Sequence, residues 1–83
     1  MNSDRTETDY KPIPCAGYDQ YEIAIMHGSK MHLTWQTGNV TYDQTITPLD
    51  LRTKQGEEFL VLRLASGETA DVRLDHIRRA RVL

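Results

Sequence analysis

The sequence predicts a mostly β protein in which one short α-helix precedes a strongly bent, five-stranded antiparallel sheet that closes into a small barrel. Three observations predict this fold. A helix start signal and a glycine stop enclose residues 19–27. From Lys30 onward, apolar and polar residues alternate with a period of two, as in strands with one buried face. Tight-turn sequences around Gly38, Gly56 and Gly67 separate these stretches.

The helix is predicted from the acidic pair Asp19 and Glu22. Asp19 suits an N-cap, and Glu22 stands three residues later, where its carboxylate can reach back to the cap N–H. Gly28 ends the helix after about two and a half turns. We expect Ile23 and Met26 to cover one open end of the barrel.

Five strands are predicted after the helix, joined by tight turns. The second strand is expected to bend at Pro48, because proline cannot donate a ladder hydrogen bond. A single 3₁₀ turn is expected at residues 75–77, where the connection is too short for a loop. The strands are predicted near residues 30–36, 40–51, 59–64, 70–74 and 77–83. This element order is that of an Sm-like or SH3-like barrel, whose closure removes exposed sheet edges.

Length and composition predict one domain, residues 10–83, after a flexible tail over residues 1–9, which contain no apolar residue except the initial methionine. No run of about 18 apolar residues is present, so no membrane span is expected. The N-terminus has no signal-peptide pattern, and the single cysteine fits a reducing compartment, so a cytoplasmic location is expected.

The charge is unevenly distributed along the chain. Residues 1–50 carry seven acids against three bases, whereas residues 51–83 carry five acids against seven bases. An acidic front half argues against nucleic acid as a direct partner, because phosphate binding needs a basic surface. It favours a basic protein partner instead.

The most distinctive segment is the helix start, where two tyrosines accompany two carboxylates. Tyr18, Asp19, Tyr21 and Glu22 predict a docking surface, since an exposed tyrosine beside a charge is a common hot-spot composition. Tyr21 is expected to be the more buried of the two tyrosines. Capping alone would also explain Asp19 and Glu22, and the two roles are compatible.

Enzymatic chemistry has no support in the sequence. No nucleophile stands beside a base, and no phosphate-binding loop is present. The three histidines lack metal-ligand spacing, and Cys15 is expected to pack as a small apolar residue. We therefore expect no catalytic residue, no cofactor and no metal site.

A set of motif residues resembles the Rho-binding antiterminator family of bacteria (Rof, also called YaeO). The resemblance extends from about Tyr10 to Ile77, including the later segments 67–69 and 73–77. Its most specific part is the N-terminal motif of Tyr10, Pro12, Ile13, Cys15, Tyr18, Asp19 and Glu22. Ala16 and Gly17 stand where the family pattern has acidic residues.

The resemblance implies an Sm-like domain that binds the N-terminal, RNA-binding domain of the termination helicase Rho. An acidic surface would compete there with RNA and thereby lower termination. Carried over by position, the Rho contacts would be Tyr18, Asp19 and Glu22. A secondary contact would lie in the loop at Lys54, Gln55 and Gly56.

An alternative function is direct RNA binding by an Sm-like protein. Arg78, Arg79 and Arg81 form a basic cluster on the last strand and would be the contact. The same arginines also protect an edge strand from pairing with other chains, so we expect a monomer.

Overall fold

The computed structural model describes residues 9–83, and every predicted element is present there. The elements are α1 (Cys15–His27), β1 (Met31–Thr37), β2 (Val40–Lys54), β3 (Glu57–Arg63), β4 (Thr69–Arg73), a 3₁₀ turn (Leu74–His76) and β5 (Ile77–Val82). The tail predicted over residues 1–9 lies outside the described residues except for Asp9, and the boundary at residue 10 stays a prediction.

The long strand β2 organises the sheet, whose strand order is β4-β3-β2-β1-β5. Its first half pairs antiparallel with β1, from Val40 to Ile46, and its second half pairs with β3, from Thr47 to Lys54. The register shifts between Pro48 and Asp50, where proline interrupts the ladder as predicted. The strand therefore changes partners at its bend, which gives the sheet its strong curvature.

The sheet is bent but not closed by hydrogen bonds. In the described chain β3 is the sheet partner of β4, β1 is the partner of β5, and β4 and β5 are the two edges. The expected full closure is thus corrected to an open, strongly bent sheet. The 3₁₀ turn joins the two edge strands along the chain, although they do not pair with each other.

The predicted start of the helix is wrong by one turn. Pro14 is the N-cap, no side chain caps the helix, and the first turn contains no acidic residue. The carbonyl of Pro14 accepts the first bonds from the N–H groups of Gly17 and Tyr18, at 3.1 and 3.2 Å. Asp19 therefore lies inside the helix and is not its cap. The earlier start places Tyr18 within the helix, where its ring packs partly against the core.

The predicted C-terminal end of the helix is confirmed. Gly28 adopts the left-handed conformation, with φ of 65°. Its N–H donates to the carbonyl of Ile25, and that of Ser29 donates to the carbonyl of Ala24 at 2.9 Å. These two bonds form a Schellman motif, which satisfies the last carbonyls of the helix.

The core lies between α1 and the inner face of the sheet. The apolar positions of β1 are buried as the alternation predicts, and β3 contributes consecutive buried residues. The fully or nearly fully buried side chains include Tyr21, Met31, Leu33, Trp35, Ile46, Leu60, Leu62, Val72 and Leu74.

The helix covers this core with a different face from the one predicted. Tyr21 and Ala24 are buried, and Tyr18 and Ile25 pack partly against the core. The expectation that Ile23 and Met26 cover the barrel end is therefore wrong, because α1 turns them to solvent.

Candidate functional site

The outer face of α1 carries two carboxylates and two exposed apolar side chains. Asp19, Glu22, Ile23 and Met26 follow the spacing of neighbours on one helix face. Ile23 is 54% exposed and Met26 is 78% exposed. Neither Asp19 nor Glu22 caps the helix, so helix capping does not explain why carboxylates occupy these two positions.

Tyr18 lies at the inner border of this face, where the fold adds acidic residues from the sheet. Burial raises the pKa of Tyr18, and the negative charges of Glu58, Glu22 and Asp50 raise it further. Carboxylates of α1, β2 and β3 thus all act electrostatically on the Tyr18 side chain. Sequence reasoning identified Tyr18 and Glu22 but missed Asp50 and Glu58, because no local spacing connects them to the helix.

A groove of about 380 Å³ separates α1 from the second half of β2. Glu22 and Asp50 supply its charges, and Ile25, Met26 and Leu51 supply apolar surface. Arg52 lies 3.6 Å from the Asp50 carboxylate at a well-exposed position, so this ion pair neutralises Asp50 only weakly. We call the exposed set Asp19, Glu22, Ile23, Met26 and Asp50 the α1 surface.

The chain before α1 is attached to the sheet beside this surface. The Tyr10 hydroxyl donates a hydrogen bond of 2.8 Å to the Glu58 carboxylate. Burial and this bond to Glu58 raise the pKa of Tyr10 well above its usual value. Glu58 is therefore held in place behind Tyr18 by a partner from the N-terminal segment.

Arg73 connects the same segment to β4, the edge strand that pairs with β3. Its Nε and Nη2 donate to the two oxygens of Asp75 at 2.7 and 2.8 Å. Its Nη1 also lies 2.9 Å from Asp9 and 3.4 Å from Glu57, and its guanidinium lies 5.6 Å from the Tyr10 ring centroid. One largely buried cation thus contacts three carboxylates near the segment that precedes α1.

Burial raises the pKa of Asp75, but the hydrogen bonds from Arg73 and from the Lys11 N–H outweigh this and hold the pKa below its usual value. The Lys11 N–H lies 3.1 Å from the Asp75 carboxylate. Asp75 therefore stays ionised and fixes the backbone of the N-terminal segment.

The predicted secondary contact lies at the tip of the β2–β3 hairpin. Gln55 and Gly56 form the turn with positive φ values of 52° and 80°. Lys54 is exposed, with its Nζ 5.5 Å from the Phe59 ring centroid. Lys54 and Gln55 do not line the groove beside α1.

Two further predicted features belong to β5 and to the first turn of α1. Arg78, Arg79 and Arg81 are exposed on the edge strand β5, and Arg78 donates to the Asp75 carbonyl at 3.1 Å. Cys15 is exposed as the first residue of α1, so the expectation that it packs as an apolar residue is wrong. Its side chain projects from the unpacked side of the first turn.

Two general observations concern residues 9–83. No helix in this range combines the length and hydropathy that crossing a membrane requires. No three histidine, cysteine or acidic side chains in this range group closely enough to hold a metal ion.

Comparison with known proteins gives one consistent family. A family model described as "Modulator of Rho-dependent transcription termination (ROF)" matches residues 12–83. Protein rof of Escherichia coli (strain K12) is 35% identical over 68 residues, which cover 82% of this chain and 76% of that relative. Protein rof of Shigella flexneri matches to the same extent. The family match includes α1 and all five strands.

Proposed function

Because the chain belongs to the Rof family of modulators of Rho-dependent transcription termination, we propose that it lowers termination by binding the N-terminal, RNA-binding domain of Rho. The α1 surface is the contact, and it competes there with RNA. In this role the protein is a cytoplasmic monomer that acts by binding, without catalysis, a cofactor or a metal.

The charge of the α1 surface supports this proposal. Within residues 9–83, Asp19 and Glu22 form no ion pair with a basic side chain, and Asp50 has only the loose contact with Arg52. A site that binds RNA phosphates needs cations, and these cations attract carboxylates as well. The α1 surface therefore offers the charge that a basic RNA site selects.

The exposed apolar residues supply the second half of the interface. Met26 is 78% exposed although it borders a groove with an apolar floor, and this exposure is the observation that carries the proposal. Binding energy in interfaces concentrates in apolar and aromatic side chains, whereas rim carboxylates mainly guide encounter. RNA sites also contain apolar surfaces that stack bases. Ile23 and Met26 can occupy such surfaces while the carboxylates occupy the phosphate positions.

Tyr18, Lys54 and Gln55 complete the proposed contact. Tyr18 is half-buried, so only part of its side chain is available for contact. The exposed hairpin tip at Lys54 and Gln55 acts as a separate, weaker contact, because a lone surface charge contributes little.

The test measures binding to the isolated Rho N-terminal domain and displacement of a labelled C-rich RNA from it. The wild-type protein should bind the domain and release the RNA. Asp19→Lys and Glu22→Lys should each weaken binding at least tenfold, because each places a cation against a basic site. Asp71→Lys is the matched control, since Asp71 is an exposed carboxylate on the edge strand β4. It should bind within twofold of wild type.

Two outcomes would contradict the proposal. Full binding by Asp19→Lys and Glu22→Lys would move the contact away from α1. Binding to the RNA with none to the Rho domain would favour the alternative, and the contact would then be sought at Arg78, Arg79 and Arg81.

A further inference from the structure

A pocket of about 390 Å³ opens on the sheet and has no lining residue in common with the α1 surface. It lies between the segment before β1, the middle of β2, the end of β3 and the β3–β4 loop. Its lining combines two cations and two threonine hydroxyls with a leucine and two small residues: Lys30, Thr45, Thr47, Arg63, Leu64, Ala65 and Gly67.

The strand register explains why these residues meet. Thr47 of β2 pairs directly with Arg63 of β3, so their side chains lie on the same face of the sheet. Thr45 is two residues earlier on β2 and shares that face. On the other side Thr45 pairs with His32 of β1, and Lys30 precedes β1 by one residue. Two cations that are 33 positions apart in sequence thereby border one concavity.

The two cations are not used by the fold. Within residues 9–83, neither Lys30 nor Arg63 forms an ion pair with a carboxylate, and both are exposed. By register the acid nearest Arg63 is Asp71, two residues beyond its β4 partner Thr69, and the described residues show no ion pair between them. Asp43, two residues before Thr45 on β2, contacts the ring of His32 instead. The positive charge in the pocket is therefore available to a ligand.

The donor set fits a phosphate group. A guanidinium donates in parallel to two phosphate oxygens, an ammonium adds a second charge, and hydroxyls donate to the remaining oxygens. The concavity is large enough for a small organic molecule, whose usual sites begin near 300 Å³. Its lining contains no carboxylate, so a cationic ligand is disfavoured.

We propose that this pocket binds a small phosphorylated molecule through Lys30 and Arg63, with Thr45 and Thr47 as hydroxyl donors. The site shares no residue with the α1 surface, so it does not rest on the proposed action on Rho. A bound phosphate would contact Lys30 before β1, the middle of β2 and the end of β3 at once, so occupancy would stabilise the sheet.

The test titrates the full chain with pyrophosphate as the probe, recording backbone amide shifts and the melting temperature. Saturable shifts should appear at Ala65 and Gly67, and the melting temperature should rise, because a ligand of the native state stabilises it. Arg63→Gln and Lys30→Gln should each weaken the binding at least tenfold. Arg79→Gln is the matched control, an exposed arginine on β5 outside the pocket, and should bind within twofold of wild type.

Three results would overturn the proposal. Sodium chloride at equal ionic strength could reproduce the shifts, which would mean charge screening only. Equal loss in Arg79→Gln and Arg63→Gln would mean diffuse attraction to the whole basic half. Binding of single-stranded RNA without any binding of pyrophosphate would identify an RNA surface instead. Rho binding should be unchanged in Arg63→Gln, so failure here is separable from failure of the proposed function.

Discussion

Replacing Arg73 by methionine tests whether one ion-pair network holds the N-terminal segment to the sheet. The Arg73 side chain is only 13% exposed and that of Asp75 only 12%. Methionine retains much of the apolar volume but removes both bonds to Asp75 and the contacts with Asp9 and Glu57. Three carboxylates would then remain close together without a cation.

The magnitude follows from the two bonds to Asp75. Each charge-assisted hydrogen bond contributes about 1.5 kcal/mol net, so Arg73→Met should lower the free energy of unfolding by about 3 kcal/mol. This agrees with the cost of about 3–5 kcal/mol for removing one partner of a buried pair. For a domain of this size the melting temperature should fall by roughly 12–24 °C. Urea unfolding and thermal melts, both followed by circular dichroism, measure the two quantities.

Arg52→Met is the matched control, because Arg52 also pairs with an aspartate but is 59% exposed. It should cost less than about 1 kcal/mol.

The network also predicts a pH dependence, since Arg73 lowers the pKa of Asp75. The stability that the network contributes is present above the pKa of about 3.9 that an aspartate has in the unfolded chain. It is lost as the pH falls through the lower pKa of Asp75 in the folded protein. Wild-type stability should therefore fall more steeply than that of Arg73→Met between pH 5 and 2. Equal losses in Arg73→Met and Arg52→Met at pH 7 would refute the reasoning.

Four other changes test the core, the helix end, a buried tyrosine and the α1 surface. Leu60→Ala removes a fully buried side chain and should cost about 3 kcal/mol in urea unfolding. Gly28→Ala should cost about 1 kcal/mol in the same assay, because φ is 65° and no atom lies near enough to clash. Burial raises the pKa of Tyr21 to about 12. The stability that the buried Tyr21 hydroxyl contributes should be complete below pH 10 and lost as the pH rises through 12. Tyr21→Phe should reduce this loss of stability, as measured in alkaline melts. Met26→Ser should weaken binding to the Rho domain about tenfold while leaving the melting temperature within 2 °C, measured by calorimetry.

Local rules were sufficient for the strands and for the end of the helix. Alternation identified the buried residues Met31, Leu33 and Trp35, because a strand presents successive side chains to opposite faces. Gly28 identified the helix end, because it adopts the left-handed conformation that few other residues accept. Pro48 marked the bend of β2, since it interrupts the ladder there.

The start of the helix could not be predicted by the same rules. Asp19 and Glu22 match a capping box, yet the backbone is already helical from Cys15. Packing of Tyr18 and Tyr21 on the core overrides the local cap signal, because burial of aromatic side chains exceeds the roughly 1 kcal/mol that a cap provides. Packing of Tyr21 and Ala24 on the core also leaves Ile23 and Met26 exposed, which changes the composition of the proposed interface.

By itself, the sequence determined the element order, the two-residue periodicity of the strands and the closeness of Tyr18, Asp19 and Glu22 along the chain. These features depend on neighbours along the chain, where spacing fixes geometry. Tertiary structure alone decided that the charges of Asp50 of β2 and Glu58 of β3 act on Tyr18 and raise its pKa. It also decided that Lys30 and Arg63 border one pocket. The physical reason is that the bend of β2 and the register of its two partners set these distances, and no local residue pattern encodes them.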